Sequence, residues 1–229
     1  MYNTFMKKAI YICFEGTEGV GKTTQTNKLV DFLRSKGYSV LQTKEPGTQH
    51  LPLTMILREI MLDHKYDESL TRLAREFISQ AIRSIHLEKL IAPALTEYDF
   101  IVQDRGILSG YAYGSACGNN YEDLRTMTMQ NVDSVLEINK LFPLIPELIY
   151  DKVIYLRGNT LKGLERAKSS KQEFESGDAM ESKGNSFLNK VSENMNKMSS
   201  RFRTITIDID GKSIDEVHLE ILSKLEMEK

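Results

Sequence analysis

Two cysteines in 229 residues are too few for a disulfide framework or a cysteine metal cluster; Cys13 falls in a core-strand pattern and Cys117 in a loop pattern. Such sparse usage fits a reducing cytoplasm. The four histidines (His50, His64, His86, His218) have no ligand spacing, so they read as solvated or packing residues and no catalytic histidine is expected. Neither sign of charge prevails: 30 Lys+Arg stand against 32 Asp+Glu, a net charge of -2, which gives no reason to expect a nucleic-acid or membrane partner. No apolar run approaches the length of a membrane span, and residues 1–8 lead into a strand rather than a signal-peptide core. Internal repeats are not apparent. With no Pro/Gly/Ser-rich linker to divide it, the chain is expected to form one domain over 1–229.

What the chain does have is Gly16-Thr17-Glu18-Gly19-Val20-Gly21-Lys22-Thr23, which fits the phosphate-loop pattern G-x-x-x-x-G-K-[ST]. The apolar run 9–14 before it reads as a buried strand. Residues 24–35 after it read as a helix, with Leu29, Val30, Phe32 and Leu33 at helical spacing. Glycines let the backbone turn its N–H groups onto phosphate oxygens, and the helix adds its positive end. Lys22 can reach β and γ phosphates, while Thr23 offers a hydroxyl to Mg²⁺. The plain alternative is a glycine-rich strand-to-helix turn with a chance lysine; the strand and helix on either side favour a nucleoside triphosphate site.

Further strands are expected at 39–43, 100–105, 152–156 and 204–208, alternating with helices at 52–62, 67–97, 122–141, 161–167, 187–202 and 214–225. This alternation predicts an α/β fold: a P-loop kinase arrangement with a five-stranded parallel sheet flanked by helices. Lys44 and Glu45 at the mouth of the second strand are candidates for substrate contact, or belong to an ordinary exposed turn. Asp104 and Arg105 end the third strand. An aspartate there can hold Mg²⁺ or its water and an arginine can grip a phosphate, the alternative being a surface ion pair. Residues 168–184 are rich in Ser, Gly, Lys and Glu, with only Phe174, Ala179 and Met180 apolar, and read as a mobile lid.

Glu15 to Thr24 at the loop, Thr43-Lys44-Glu45-Pro46-Gly47, Arg83 in the long helix, and Asp104-Arg105 followed by Ser109 and Ala112-Tyr113 resemble the successive motifs of thymidylate kinases. The likeness runs from about residue 8 to the last helix. It implies transfer of the γ-phosphoryl of ATP to the 5′-phosphate of dTMP, with Mg²⁺ held near Thr23 and Asp104, in a cytoplasmic homodimer. It also implies roles: Gly16 to Thr24 for the donor, Arg105 for the acceptor phosphate with Glu45 and Pro46 beside it, and Glu18 for the sugar 3′-hydroxyl. Arg58 and Arg83 would line the base pocket, Tyr113 would sit over the sugar, and Ser109 would be a further substrate-binding residue. Lys22, Asp104, Arg105 and Glu18 form the implied catalytic set.

Several positions depart from that pattern. The first basic residue of the second motif is Lys44, and 168–184 contain no arginine, so Arg166, Lys168, Lys171 or Lys183 would supply the lid cation without, for the lysines, the planar fork. Ser79 stands where the family places a stacking phenylalanine, with Phe77 nearby, and Gly110 and Gly114 stand where polar side chains read the pyrimidine. An altered or broader base specificity is therefore one alternative. A catalytically weak nucleotide-binding module is another. A regulatory GTPase would need Asn-Lys-x-Asp after a later strand, and Asn27-Lys28 lies inside the first helix instead.

Overall fold

The computed structural model describes residues 9–139, 147, 149–159, 163, 174 and 178–227. Five strands, β1 (Ile10–Glu15), β2 (Val40–Lys44), β3 (Phe100–Asp104), β4 (Lys152–Arg157) and β5 (Ile205–Asp208), form one sheet in the order β2-β3-β1-β4-β5. Every pairing is parallel, with Ile10 opposite Phe100, Ile12 opposite Lys152, Val40 opposite Phe100 and Ile154 opposite Ile205. The α/β five-stranded architecture expected from the alternation is the one observed.

Around the sheet lie α1 (Lys22–Ser35), α2 (Pro52–Leu62), α3 (Arg72–His86), α4 (Ala92–Glu97), α5 (Ile107–Ala116), α6 (Tyr121–Asn139), α7 (Gly184–Met198) and α8 (Ile214–Lys224). Covered on both faces, a parallel strand is apolar throughout rather than alternating. In β1, Tyr11 and Cys13 pack toward α4, α5 and α6, whereas Ile12 and Phe14 pack toward Leu29, Val30 and Leu33 of α1 and Ile221 of α8. These side chains are fully or almost fully buried. α8 starts at a capping box in which Ser213 and Glu216 each bond the other's backbone N–H.

Two boundaries differ from the sequence reading. The expected helix over 67–97 is α3, then a wider turn at Leu87–Ile91, then α4. Pro93 explains the widening, because its ring lacks an N–H and crowds the carbonyl four residues back. The expected lid at 168–184 is described only at Phe174 and from Asp178 on, and there it is packed. Ala179 N donates to the Leu62 carbonyl at 2.8 Å, and Phe174, Ala179 and Met180 bury against Met61, Leu62 and Ile82. The three apolar residues of that polar stretch hold it to α2 and α3.

Candidate active site

All the strands run the same way, so their carboxyl ends open onto one side, and strand order reverses around β1, where the phosphate loop leaves the sheet. Gly19 has φ +65°, and a Cβ there would lie 1.9 Å from the carbonyl oxygen of Gly163. Only a glycine lets the loop pass so close to that second segment.

Lys22 is buried, and its ammonium donates to the carbonyl of Thr17 across the loop. Burial, then the nearby Arg105, push its pKa down to about 8, against Asp104, Glu18 and Glu15, which pull it up. Thr23 Oγ1 donates to Asp104 Oδ2 at 2.6 Å, while Asp104 Oδ1 is buried with no hydrogen-bond partner among the described residues. A hydroxyl and a carboxylate with one uncommitted oxygen suit a hard cation or its water. No group of three or more His, Cys, Asp or Glu among the described residues could hold a metal alone, so phosphate oxygens and water would complete such a site.

Arg105 occupies the left-handed region at φ 64°, an unusual conformation for a side chain of this size. Its guanidinium donates to the Gly16 carbonyl (3.0 Å), Ser109 Oγ (3.2 Å) and Glu18 Oε1 (3.1 Å), and lies 5.3 Å from the Tyr113 ring centre. Tyr113 OH also donates to Glu18 Oε1, leaving Glu18 Oε2 buried and, among the described residues, unpartnered. Burial pushes the Glu18 carboxyl up, but Arg105, Lys22 and the Tyr113 hydroxyl more than offset it and hold it below the usual carboxylate range.

Two cavities meet here. One, of about 570 Å³, is lined by the loop from Glu18 to Gln25 together with Asp104 and Lys44. The other, of about 220 Å³, runs past Pro46, Ser109 and Tyr113 to Ser79 and Arg83. Glu18, Glu45, Arg58 and Arg105 line both.

The sequence-selected residues Gly16 to Thr24, Lys44, Glu45, Pro46, Arg58, Asp104, Arg105, Ser109 and Tyr113 are thus gathered at one place. Glu45 is not part of an exposed turn: it is buried, with Arg83 Nε at 3.2 Å on one oxygen and His86 Nδ1 at 2.9 Å on the other. Burial raises its pKa, yet Arg83 and His86 bring it below the ordinary value. Arg58 Nη1 donates to the Pro46 carbonyl at 2.7 Å. Lys183 lies 3.7 Å from Asp67 and does not line the cavity of the phosphate loop, whereas Arg166, Lys168 and Lys171 fall outside the described residues. Phe77 is 57% exposed and does not line the second cavity, so it does not replace the ring missing at Ser79.

Sequence reading missed four contributors. His86, expected to be solvated or packing, bridges Glu45 and the Thr43 hydroxyl (2.9 Å each), and its place one turn after Arg83 is the signal that could have found it. Glu15 is fully buried and accepts from the N–H groups of Gly106 (2.9 Å) and Ser109 (3.2 Å) and from the Ser109 hydroxyl, fixing the start of α5. Burial pushes its carboxyl up, with Ser109, Arg105 and Lys22 opposing. Ile209 and Lys212 after β5 wall the larger cavity, a placement only the strand order reveals.

A family model described as Thymidylate kinase matches residues 14–221. The thymidylate kinase of Geobacillus sp. (strain WCH70) is 35% identical over 212 residues, 92% of each chain. That of Campylobacter concisus (strain 13826) is 33% identical over 214 residues, covering 93% of this chain and 96% of its own. The crystal structure of thymidylate kinase from Ehrlichia chaffeensis matches with a TM-score of 0.68 at 23% identity, over 96% of this chain and 100% of that one, a likeness of fold. With its phosphate loop, its Asp104-Arg105 segment and these matches over nearly its whole length, the chain belongs to the thymidylate kinase family.

Proposed function

We propose that this protein transfers the γ-phosphoryl group of ATP to the 5′-phosphate of dTMP, giving ADP and dTDP. The observation that carries the reading is Arg105, which lines both the cavity containing Lys22 and the one walled by Glu18, Ser109 and Tyr113. The donor's phosphates would lie on the loop N–H groups and Lys22, and the acceptor phosphate on the Arg105 fork, so that one oxygen faces the transferring phosphorus. Phosphoryl transfer needs positioning and charge neutralisation more than covalent help. Thr23 and the uncommitted Asp104 Oδ1 would hold Mg²⁺, which would supply charge neutralisation to the donor phosphates. Glu18 Oε2, buried and unpartnered, is suited to accept from the sugar 3′-hydroxyl, with Tyr113 over the sugar. Arg83, braced by Glu45, belongs to the base end. A lid cation would come from Arg166, Lys168 or Lys171 rather than from Lys183, which is engaged with Asp67.

A homodimer fits the outer face of α2 and α3, where Leu53, Ile56, Leu73 and Phe77 are all more than half exposed. A cytoplasmic location fits two free cysteines and the lack, among described residues, of a helix long and apolar enough to cross a membrane. The direct test is ADP release from Mg²⁺-ATP with and without dTMP. Release that depends on dTMP and yields dTDP is expected; nucleotide binding with no dTMP-dependent turnover would overturn the reading in favour of a binding module.

A further inference from the structure

Across the acceptor cavity α3 faces α5, and α5 carries glycine at two positions one helical turn apart. A Cβ at Gly110 would lie 2.7 Å from Arg83 Nη2, and a Cβ at Gly114 would lie 3.1 Å from Glu76 Oε2. The Arg83 guanidinium therefore occupies the space a Gly110 side chain would fill, and the Glu76 carboxyl shares the space at Gly114 with the Leu124 methyls, 3.0 Å from such a Cβ. Both groups are more than nine-tenths buried and both line the cavity.

Their hydrogen bonds are only partly used. Arg83 Nε donates to Glu45 and Nη1 to Thr128 Oγ1 at 3.5 Å, while Nη2 makes no hydrogen bond among the described residues. Glu76 Oε1 accepts from Gln80 Nε2 at 2.8 Å, while Oε2 makes none among them. Burial, opposed by Gln80 and Arg83, holds the Glu76 carboxyl above its ordinary pKa, as desolvation of an unsatisfied acceptor does. One unused donor and one unused acceptor thus line the same wall, against Gly110 and Gly114, where Ser79 supplies no ring to stack on a base.

We propose that Glu76 is a base-reading residue: its Oε2 accepts the ring N–H of the acceptor base while Arg83 Nη2 donates to the adjoining carbonyl. The inference rests on the kinase reading above and adds the rule by which bases are chosen. Thymine, uracil and guanine present a carbonyl beside a ring N–H. Cytosine and adenine present an amino group beside a bare ring nitrogen, which sets donor against donor and acceptor against acceptor. A site built to pair a polar edge rejects an analogue that leaves its buried groups unpaired. Gly110 and Gly114 keep the two α3 side chains at the cavity wall, so the sequence feature that removes readers from α5 is the one that admits them from α3.

The test compares kcat/KM of the full-length protein for dTMP, dCMP and N3-methyl-dTMP, with ATP saturating, in wild type, Glu76→Leu and Glu76→Gln. Wild type should favour dTMP over the other two by about tenfold or more, mainly through KM. Glu76→Leu should lose most of that preference, and Glu76→Gln, which keeps an oxygen acceptor, should retain much of it. Equal use of dTMP and N3-methyl-dTMP by wild type overturns the proposal without need of any variant, as does a dTMP-to-dCMP ratio unchanged in Glu76→Leu. Absence of turnover with every monophosphate would instead overturn the kinase reading beneath it.

Discussion

Lys22 carries the charge that a donor phosphate must meet, yet its surroundings weaken that charge. Its pKa is pushed down to about 8 by burial and Arg105. A bound triphosphate replaces lost hydration with opposite charge and favours the protonated form again. Below about pH 8 the ammonium is already present; above it, binding must take up a proton. ATP affinity should accordingly fall as pH rises past about 8, and calorimetry at pH 8.5 in buffers of different ionisation enthalpy should register proton uptake. Affinity flat from pH 7 to 9 would contradict the assignment. The sign for stability is the reverse: between about 8 and the ordinary 10.5 the unfolded chain holds the proton more tightly, so the apo protein should gain stability as pH rises through that window. At this scale Lys22, Thr23, Asp104 and Arg105 were legible in the sequence because their chemistry rides on a local pattern. His86, Glu15 and Glu76 were not, because each acts on a partner brought from a different element: Glu45, 41 residues away, Gly106, 91 residues away, and a cavity wall against Gly114.

Among elements, the contact between the phosphate loop and the segment at Gly163 decides how the donor site is built. Gly19→Ala would force a methyl against the Gly163 carbonyl, and that carbonyl is backbone. At Gly211, with φ +81°, a methyl would meet nothing within 4 Å, so a substitution there isolates the backbone strain alone. Gly19→Ala should therefore weaken ATP binding by about tenfold or more, whereas Gly211→Ala should cost only about 1 kcal/mol of stability and leave ATP binding as it was. Equal effects in fluorescence titration and thermal melts would show that the close approach does not matter. The strands were readable from apolar runs between turn residues, since a buried parallel strand needs no pairing information to be recognised. The packing of Ala179 and Met180 was not: their composition is a lid's, and only Leu62 and Met61 from α2 give them something to bury against.

At the scale of the whole molecule, the sheet order gathers the ends of β1, β2 and β3 around one crevice, and Leu53 and Ile56 of α2 and Leu73 and Phe77 of α3 are left exposed. A dimer through these residues predicts a mass near twice 26.2 kDa in sedimentation at micromolar concentration, and Phe77→Asp should shift it toward the monomer. A wild type that sediments as a single chain, or a dimer indifferent to Phe77→Asp and Leu73→Asp, would place the interface elsewhere or remove it. The central claim is that two nucleotides meet across Arg105, and steady-state kinetics of Arg105→Ala with ATP and dTMP test it most directly. The account predicts a kcat lower by about 100-fold and a higher KM for dTMP, with the KM for ATP little changed. An Arg105→Ala enzyme whose kcat and dTMP KM match the wild type would contradict it.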